Sequence, residues 1–280
     1  MGLSQAPQRH RIPVFILLFA LLLFGLLCHQ VIPPAPIVRS ASLQTVADQT
    51  VTPAILHQVL PPDATKYEAW ISTWQSANLT RRTYGDDDLE SIIKALGSQR
   101  ILKRWSQMSR TIEKVDFVRY ALLYLYGGVY ADADQELVDA DALRRVIDWN
   151  TVVLPVEQGG PFGAHQVGQA LMVSPPGQRF WWDLMEYMID QYNASCNVLI
   201  NTGPLGVTAF WNQGGGKNHP KVRLSRLLDG RFDPTIFNQS ATWHHMGGSW
   251  IDQETHKAQL LACKDKVTWH VEGGNERLYL

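Results

Sequence analysis

The sequence has little net charge, few charged residues and few cysteines. Lysine and arginine number 25 against 26 aspartates and glutamates, giving a formal charge of −1 at pH 7. A balance this even gives no reason to expect nucleic acid or another strongly charged partner. There is no internal repeat and only one linker-like stretch, near the N-terminus, so 280 residues that are 45% hydrophobic point to one sizeable folded body. Three cysteines allow one bridge at most. Cys196 and Cys263 are the candidates, with two free buried thiols as the alternative. What the chain does have in quantity is tryptophan, ten in all. These serve either as core or as platforms for sugar rings, and composition does not separate the two.

Charge is absent from Ile12 to Cys28 and does not return until Arg39. A membrane-spanning helix wants about 20 apolar residues, with a lower limit near 17. Val31 and Ile32 extend the run across His29 and Gln30. Arg9, His10 and Arg11 precede it without any acidic residue, and basic flanks tend to stay cytosolic. The expectation is a type II anchor over 12–32, a cytosolic tail over 1–11 and a Pro/Ser/Thr/Ala-rich stem over 33–52, followed by a lumenal body over 53–280. A cleaved signal peptide is the rival, but the run is long for a signal core and no small-x-small site directly follows Cys28. Cys28 itself is a candidate for acylation at the membrane edge. Three sequons, at Asn78, Asn193 and Asn238, agree with a lumenal body.

Along the body, strand and helix patterns alternate. Ala54–Val59 reads as a strand, Tyr67–Ala77 as a helix and Arg81–Tyr84 as a short strand. Asp86, Asp87 and Asp88 form an acidic turn able to cap a helix that runs to Leu96. Ile112–Tyr126 is the clearest helix, stopped by Gly127 and Gly128. Val129–Asp132 and Thr151–Val156 read as strands, and Gln178–Tyr192 as a long aromatic helix. This alternation predicts an α/β fold with a mostly parallel central sheet, whose ligands sit beyond the carboxyl ends of the strands. Asp132 and Asp134 fall at such an end.

Two carboxylates there can bind a divalent cation that in turn bridges a diphosphate. A lone Asp-x-Asp is common by chance, so its context carries the weight. Asp116 and Arg119 share a face of the preceding helix at i, i+3 spacing. The plain reading is a surface ion pair worth little. However, Phe117, Val118, Leu122, Leu123 and Leu125 are apolar almost all round that helix. Burial follows, and a buried polar pair beside a ligand site serves the ligand.

Taken together, Asp116-x-x-Arg119-Tyr120, Leu123-Tyr-x-Tyr-Gly-Gly-x-Tyr130 and Asp132-x-Asp134 resemble the core signature of glycosyltransferase family 32. Further stretches match in order. They are Ile55-Leu-His57-Gln58, Trp70 with Trp74, Tyr84 to Asp88, Asn201-Thr-Gly-Pro204 and His244-His245-Met-Gly-Gly-Ser249-Trp250. The resemblance covers residues 54 to 252. Val59-Leu60 departs from it, since a tryptophan commonly follows the His-Gln in that family.

The resemblance implies a GT-A, Rossmann-like domain that transfers a hexose with retention. The donor expected is GDP-mannose, with UDP-galactose as the other sugar nucleotide found in the family. Asp132 and Asp134 would hold Mn²⁺ or Mg²⁺ on the donor diphosphate, and His244 or His245 would complete the metal shell. The alternative for each histidine is a core or solvent-facing role. Asp116, Arg119 and Tyr120 would bind the donor sugar, with His57 and Gln58 near the nucleotide, although a buried strand histidine explains His57 as well. Ser249 and Trp250 would close over the diphosphate, the indole N–H stabilising developing charge. The acceptor expected is an N-linked glycan in the Golgi lumen, with inositol phosphorylceramide as the alternative and a non-catalytic sugar-binding subunit as the reading outside enzymology.

Overall fold

The computed structural model describes residues 53–148, 150–157, 165–230, 239–245, 253–263 and 278–279. The chain divides into two units between Gln44 and Thr45, and all of these residues belong to the second. The expected tail, anchor and stem lie outside the described residues, as do Ser249, Trp250 and the sequon at Asn238. Among the described residues no helix is long and apolar enough to cross a membrane.

The strands are β1 (Ile55–Val59), β2 (Thr80–Tyr84), β3 (Gly128–Ala131), β4 (Gln135–Leu137), β5 (Val152–Glu157), β6 (Gln166–Val167), β7 (Leu171–Ser174), β8 (Val222–Ser225), β9 (Thr242–His244) and β10 (Leu278–Tyr279). The main sheet runs β10-β8-β5-β7-β3-β1-β2, with β6 beside β5. β4 and β9 form a separate antiparallel pair in which Gln135 faces His244. The helices are α1 (Glu68–Thr73), α2 (Asp86–Ala95), α3 (Gln99–Ser106), α4 (Thr111–Tyr126), α5 (Ala140–Val146), α6 (Arg179–Gln191), α7 (Val198–Asn201), α8 (Pro204–Asn212) and α9 (Gln253–Ala262).

Period-two alternation sorts the strand residues onto two cores. Tyr130 and Met172 face a large cluster with Phe117 and Leu122 of α4 and Trp181 and Leu184 of α6. Val129, Ala131, Leu171 and Val173 face the opposite layer, where Leu143 and Val146 of α5 pack beside Trp74. The result is a mixed α/β, Rossmann-like sheet with helices on both faces.

One expectation is refined and one needs correcting. The sheet is mostly parallel, β1 pairing so with β2 and β3 and β8 with β5 and β10, but β7 runs antiparallel to both β3 and β5. A parallel neighbour needs a long crossover. The return from β5 to β7 passes through the short antiparallel β6. The stretch read as one helix, Tyr67–Ala77, is α1 flanked by 3₁₀ turns at Ala64–Tyr67 and Trp74–Ala77. Asp86–Asp88 form the first turn of α2, with Gly85 as the cap residue and its N–H donating to Asp88 Oδ2 at 2.8 Å. Three carboxylates there also suit the positive end of the helix dipole.

α4 ends at Gly127, whose φ of 62° lies in the left-handed region. Gly128 follows at φ 97° and begins β3 so close to β1 that a Cβ would sit 2.6 Å from the Ile55 carbonyl oxygen. This break aims β3 and the Asp132–Asp134 turn back across the end of α4. Cys196 and Cys263 are joined in a disulfide that ties the loop after α6 to the end of α9.

Candidate active site

The site lies where β3 ends. Asp132 leaves the strand with its N–H bonded to the Ala170 carbonyl at 2.8 Å, and Gln135 N–H closes a turn on the Asp132 carbonyl at 3.1 Å. The turn projects Asp132 and Asp134 toward the end of β9, where the N–H of His245, the next residue, donates to the Asp134 carbonyl at 3.0 Å. Ligand atoms of Asp132, Asp134 and His244 all lie within 4.8 Å of one another.

Arg119 reaches across from α4. Its Nη2 donates to Asp116 Oδ1 at 2.7 Å, and its Nη1 to Asp132 Oδ2 at 3.0 Å and the Gln169 carbonyl at 3.1 Å. Only 3% of the Arg119 side chain is exposed. Burial works to lower the Arg119 pKa, but Asp132, Tyr130 and Asp116 hold it well above the ordinary value. The guanidinium is therefore a fixed charge linking the helix to the Asp132–Asp134 turn. Asp116 also accepts from Gln169 Nε2 at 3.1 Å and from Thr202 Oγ1 at 3.2 Å. Burial pushes its carboxyl up to about 6 against the pull of Arg119. Tyr120 sits beneath, its hydroxyl donating to the Thr202 carbonyl at 2.7 Å and also meeting Gln169 Oε1.

The group could hold a cation. Burial raises the Asp132 pKa despite Arg119. For His244, burial lowers the pKa, yet the hydrogen bond and charge of Asp134, then Asp229 and Glu157, carry it up to about 9. A proton is thus stabilised between these carboxylates, where a divalent ion would replace it. The two carboxylates supply oxygen ligands of the kind that Mn²⁺ and Mg²⁺ take.

Of the residues predicted from sequence, Asp116, Arg119, Tyr120, Asp132, Asp134 and His244 come together. His245 turns elsewhere: its ring stacks on Trp70 at 4.1 Å and its Nε2 pairs with Glu136 at 2.7 Å. His57 is fully buried in β1 between the Tyr84 hydroxyl and the Gly127 carbonyl, each at 2.8 Å. Burial first, then Arg82, brings its pKa down to about 4 against the Gly127 hydrogen bond. Gln58 is equally buried, and neither its amide nitrogen nor its oxygen has a hydrogen-bond partner among the described residues. Such a group is costly until something pairs with it.

Several site residues carried no sequence signal. Gln169 lies just before β7. Glu157 ends β5, accepting from Gln166 Nε2 at 2.7 Å, and burial raises its pKa to about 7. Thr202 does fall in the Thr-Gly-Pro stretch noted above, and that stretch was the available clue.

Comparison with known proteins agrees with this geometry. Residues 63–146, which hold α4, β3 and the Asp132–Asp134 turn, match the family described as glycosyltransferase sugar-binding region containing DXD motif. Inositol phosphoceramide mannosyltransferase 2 of Schizosaccharomyces pombe is 24% identical over 79% of this chain and 64% of its own length. Mannosyl phosphorylinositol ceramide synthase CSH1 of Saccharomyces cerevisiae is 24% identical over 54% of this chain and 41% of its own. Over these stretches the chain is similar to the family that the sequence motifs suggested. It spans less than two thirds of the length of either curated relative. Among solved structures, PaToxG Glycosyltransferase covers 76% of this chain, and 79% of that protein is covered, at 12% identity and a TM-score of 0.41.

Proposed function

We propose that this chain is a metal-dependent, retaining mannosyltransferase with a GT-A domain. It takes mannose from GDP-mannose and transfers it to an inositol phosphoceramide-type glycolipid. The observation that carries the reading is the meeting of Asp132, Asp134 and His244 with the buried Arg119–Asp116 pair. The mannosyl donor and the lipid acceptor are supported by the names of both curated relatives. For that reason the lipid is preferred here to the N-linked glycan expected from sequence. Residues 12–32 would hold the protein as a single-pass type II Golgi membrane protein, with 33–52 as stem and 53–280 as the lumenal catalytic domain.

Asp132, Asp134 and His244 would hold the cation. When bound, Mn²⁺ or Mg²⁺ supplies Lewis-acid neutralisation of the departing nucleoside diphosphate. Arg119 keeps Asp132 in place and adds a permanent positive charge beside the diphosphate. Asp116 presents a carboxylate to the hydroxyls of the donor sugar, steadied by Gln169 and Thr202. Its Oδ1 already accepts from Arg119 and Gln169, and its Oδ2 from Thr202. A carboxylate held this way is a poor nucleophile. That favours front-face transfer, in which the leaving phosphate assists the acceptor hydroxyl, over a covalent sugar–enzyme step.

The test supplies purified full-length chain with labelled GDP-mannose, Mn²⁺ and either inositol phosphoceramide vesicles or a free N-glycan. Label should enter the lipid extract with the α configuration retained. Label in the N-glycan alone, or transfer from UDP-galactose but not GDP-mannose, would overturn the assignment.

A further inference from the structure

Glu113 stands one turn before Asp116 on α4, on the same face of the helix, and is wholly buried. A carboxylate in that setting is costly unless its oxygens are paired. Its Oε1 accepts from Asn201 Nδ2 at 2.8 Å and from Arg110 Nη1 at 3.3 Å, and its Oε2 from the Tyr192 hydroxyl at 3.2 Å. Asn201 is held from its other side as well. Its Nδ2 donates to the Asn193 carbonyl at 3.0 Å, and its Oδ1 accepts from the Asn193 N–H at 3.2 Å. Arg110, the residue before α4, reaches the same loop by donating to the carbonyls of Cys196 at 2.9 Å and Ala194 at 3.1 Å. Thr202 comes directly after Asn201. Its hydroxyl donates to Asp116 Oδ2 at 3.2 Å, and its carbonyl accepts from the Tyr120 hydroxyl at 2.7 Å. Successive turns of α4 therefore meet successive residues of the loop, Glu113 with Asn201 and Asp116 with Thr202.

We infer that Glu113 is a positioning residue for the donor-sugar site: by fixing the Asn201 amide it seats Thr202 against Asp116. Asp116 is thereby held in the orientation that meets the sugar hydroxyls. A carboxylate accepts only, so Asn201 must turn Nδ2 toward Glu113 and leave Oδ1 for the Asn193 N–H. Without that acceptor the buried Asn201 amide loses a partner, and the loop that carries Thr202 loses its anchor on α4. Small displacements of a group that orients a reactant cost more than the lost bond itself. Arg110 offsets the Glu113 charge and ties down the rest of the loop, so the two residues act as one clamp. The role rests on the reading of Asp116 as a donor-sugar ligand proposed above.

The experiment measures GDP release from GDP-mannose at saturating Mn²⁺ by full-length wild type, Glu113→Met, Glu113→Gln, Thr202→Val and the Glu113→Met, Thr202→Val double variant. Glu113→Met keeps the length of the side chain and removes both acceptor oxygens. Its KM for GDP-mannose should rise about 10-fold. Glu113→Gln keeps one acceptor oxygen for Asn201 and should recover most of that loss. In the Thr202→Val background Glu113→Met should add little, because both changes act through one contact. A merely structural residue would lower the unfolding midpoint and leave KM unchanged, and that result would overturn the inference while leaving the donor site intact. Effects of Glu113→Met and Thr202→Val that simply add would overturn it too. Absence of GDP release by wild type would overturn the donor reading and the inference with it. If Glu113→Met does not fold, Asn201→Leu removes the other partner of the contact and should raise KM in the same way. Unchanged KM there would overturn the role.

Discussion

Arg119 is the residue on which the site turns. One guanidinium bonds two carboxylates and a carbonyl, an arrangement that a point-charge ammonium does not reproduce. Arg119→Lys should lower kcat/KM for donor turnover on the order of 100-fold, measured by initial rates at saturating Mn²⁺. A second residue-scale prediction concerns His57. Its folded pKa of about 4 lies below the ordinary histidine value of 6.5. Between those values the unfolded chain binds a proton that the folded chain does not, so stability is lost as pH falls through that window. The advantage of wild type over His57→Phe in urea midpoint should therefore shrink from pH 7 to pH 4, by up to about 3 kcal/mol. A constant difference would place the histidine's protonation elsewhere. At this scale the sequence was most legible where partners are close along the chain. Asp116 and Arg119 share one helix face, and Asp132 and Asp134 one turn. Gln169 and Thr202 reach Asp116 from 53 and 86 residues away. Nothing local to Gln169 records that contact, and Thr202 is marked only by the Thr-Gly-Pro stretch.

The Gly127–Gly128 break governs how α4 and β3 relate. A Cβ on Gly127 would stand 2.6 Å from Pro176 N and 2.8 Å from the Ser174 carbonyl oxygen, both backbone atoms that cannot step aside cheaply. Left-handed φ adds about 1–2 kcal/mol for any other residue. Gly127→Ala should therefore destabilise by about 3 kcal/mol or more, read as a lower urea midpoint, and should loosen Mn²⁺ binding because the aspartate turn hangs from β3. The helix stop and the strand after it were readable from Gly-Gly alone. The antiparallel course of β7 was not, because strand direction depends on how the chain returns. The 3₁₀ turns around α1 were hidden for a similar reason: Trp74 is held by its indole N–H on the Gln135 carbonyl at 2.7 Å, a tertiary contact.

Across the whole molecule, the Cys196–Cys263 bridge spans 67 residues and ties α9 to the helical layer. On a chain-entropy basis a loop of that length is worth about 4 kcal/mol. Reduction should lower the melting temperature markedly while leaving Mn²⁺ bound below it, since the metal-binding group lies elsewhere. Composition allowed this pair without deciding it; the packing of the two segments decides it. The proposed function of the whole molecule rests on Asp132, Asp134 and His244 acting together on a sugar diphosphate. The most direct measurement is GDP release from GDP-mannose without acceptor, by full-length wild type and Asp134→Asn, with and without Mn²⁺. Slow release by wild type that requires Mn²⁺ and disappears in Asp134→Asn is the predicted result. Release that ignores Mn²⁺, or survives the substitution, would contradict a metal-held diphosphate at this site.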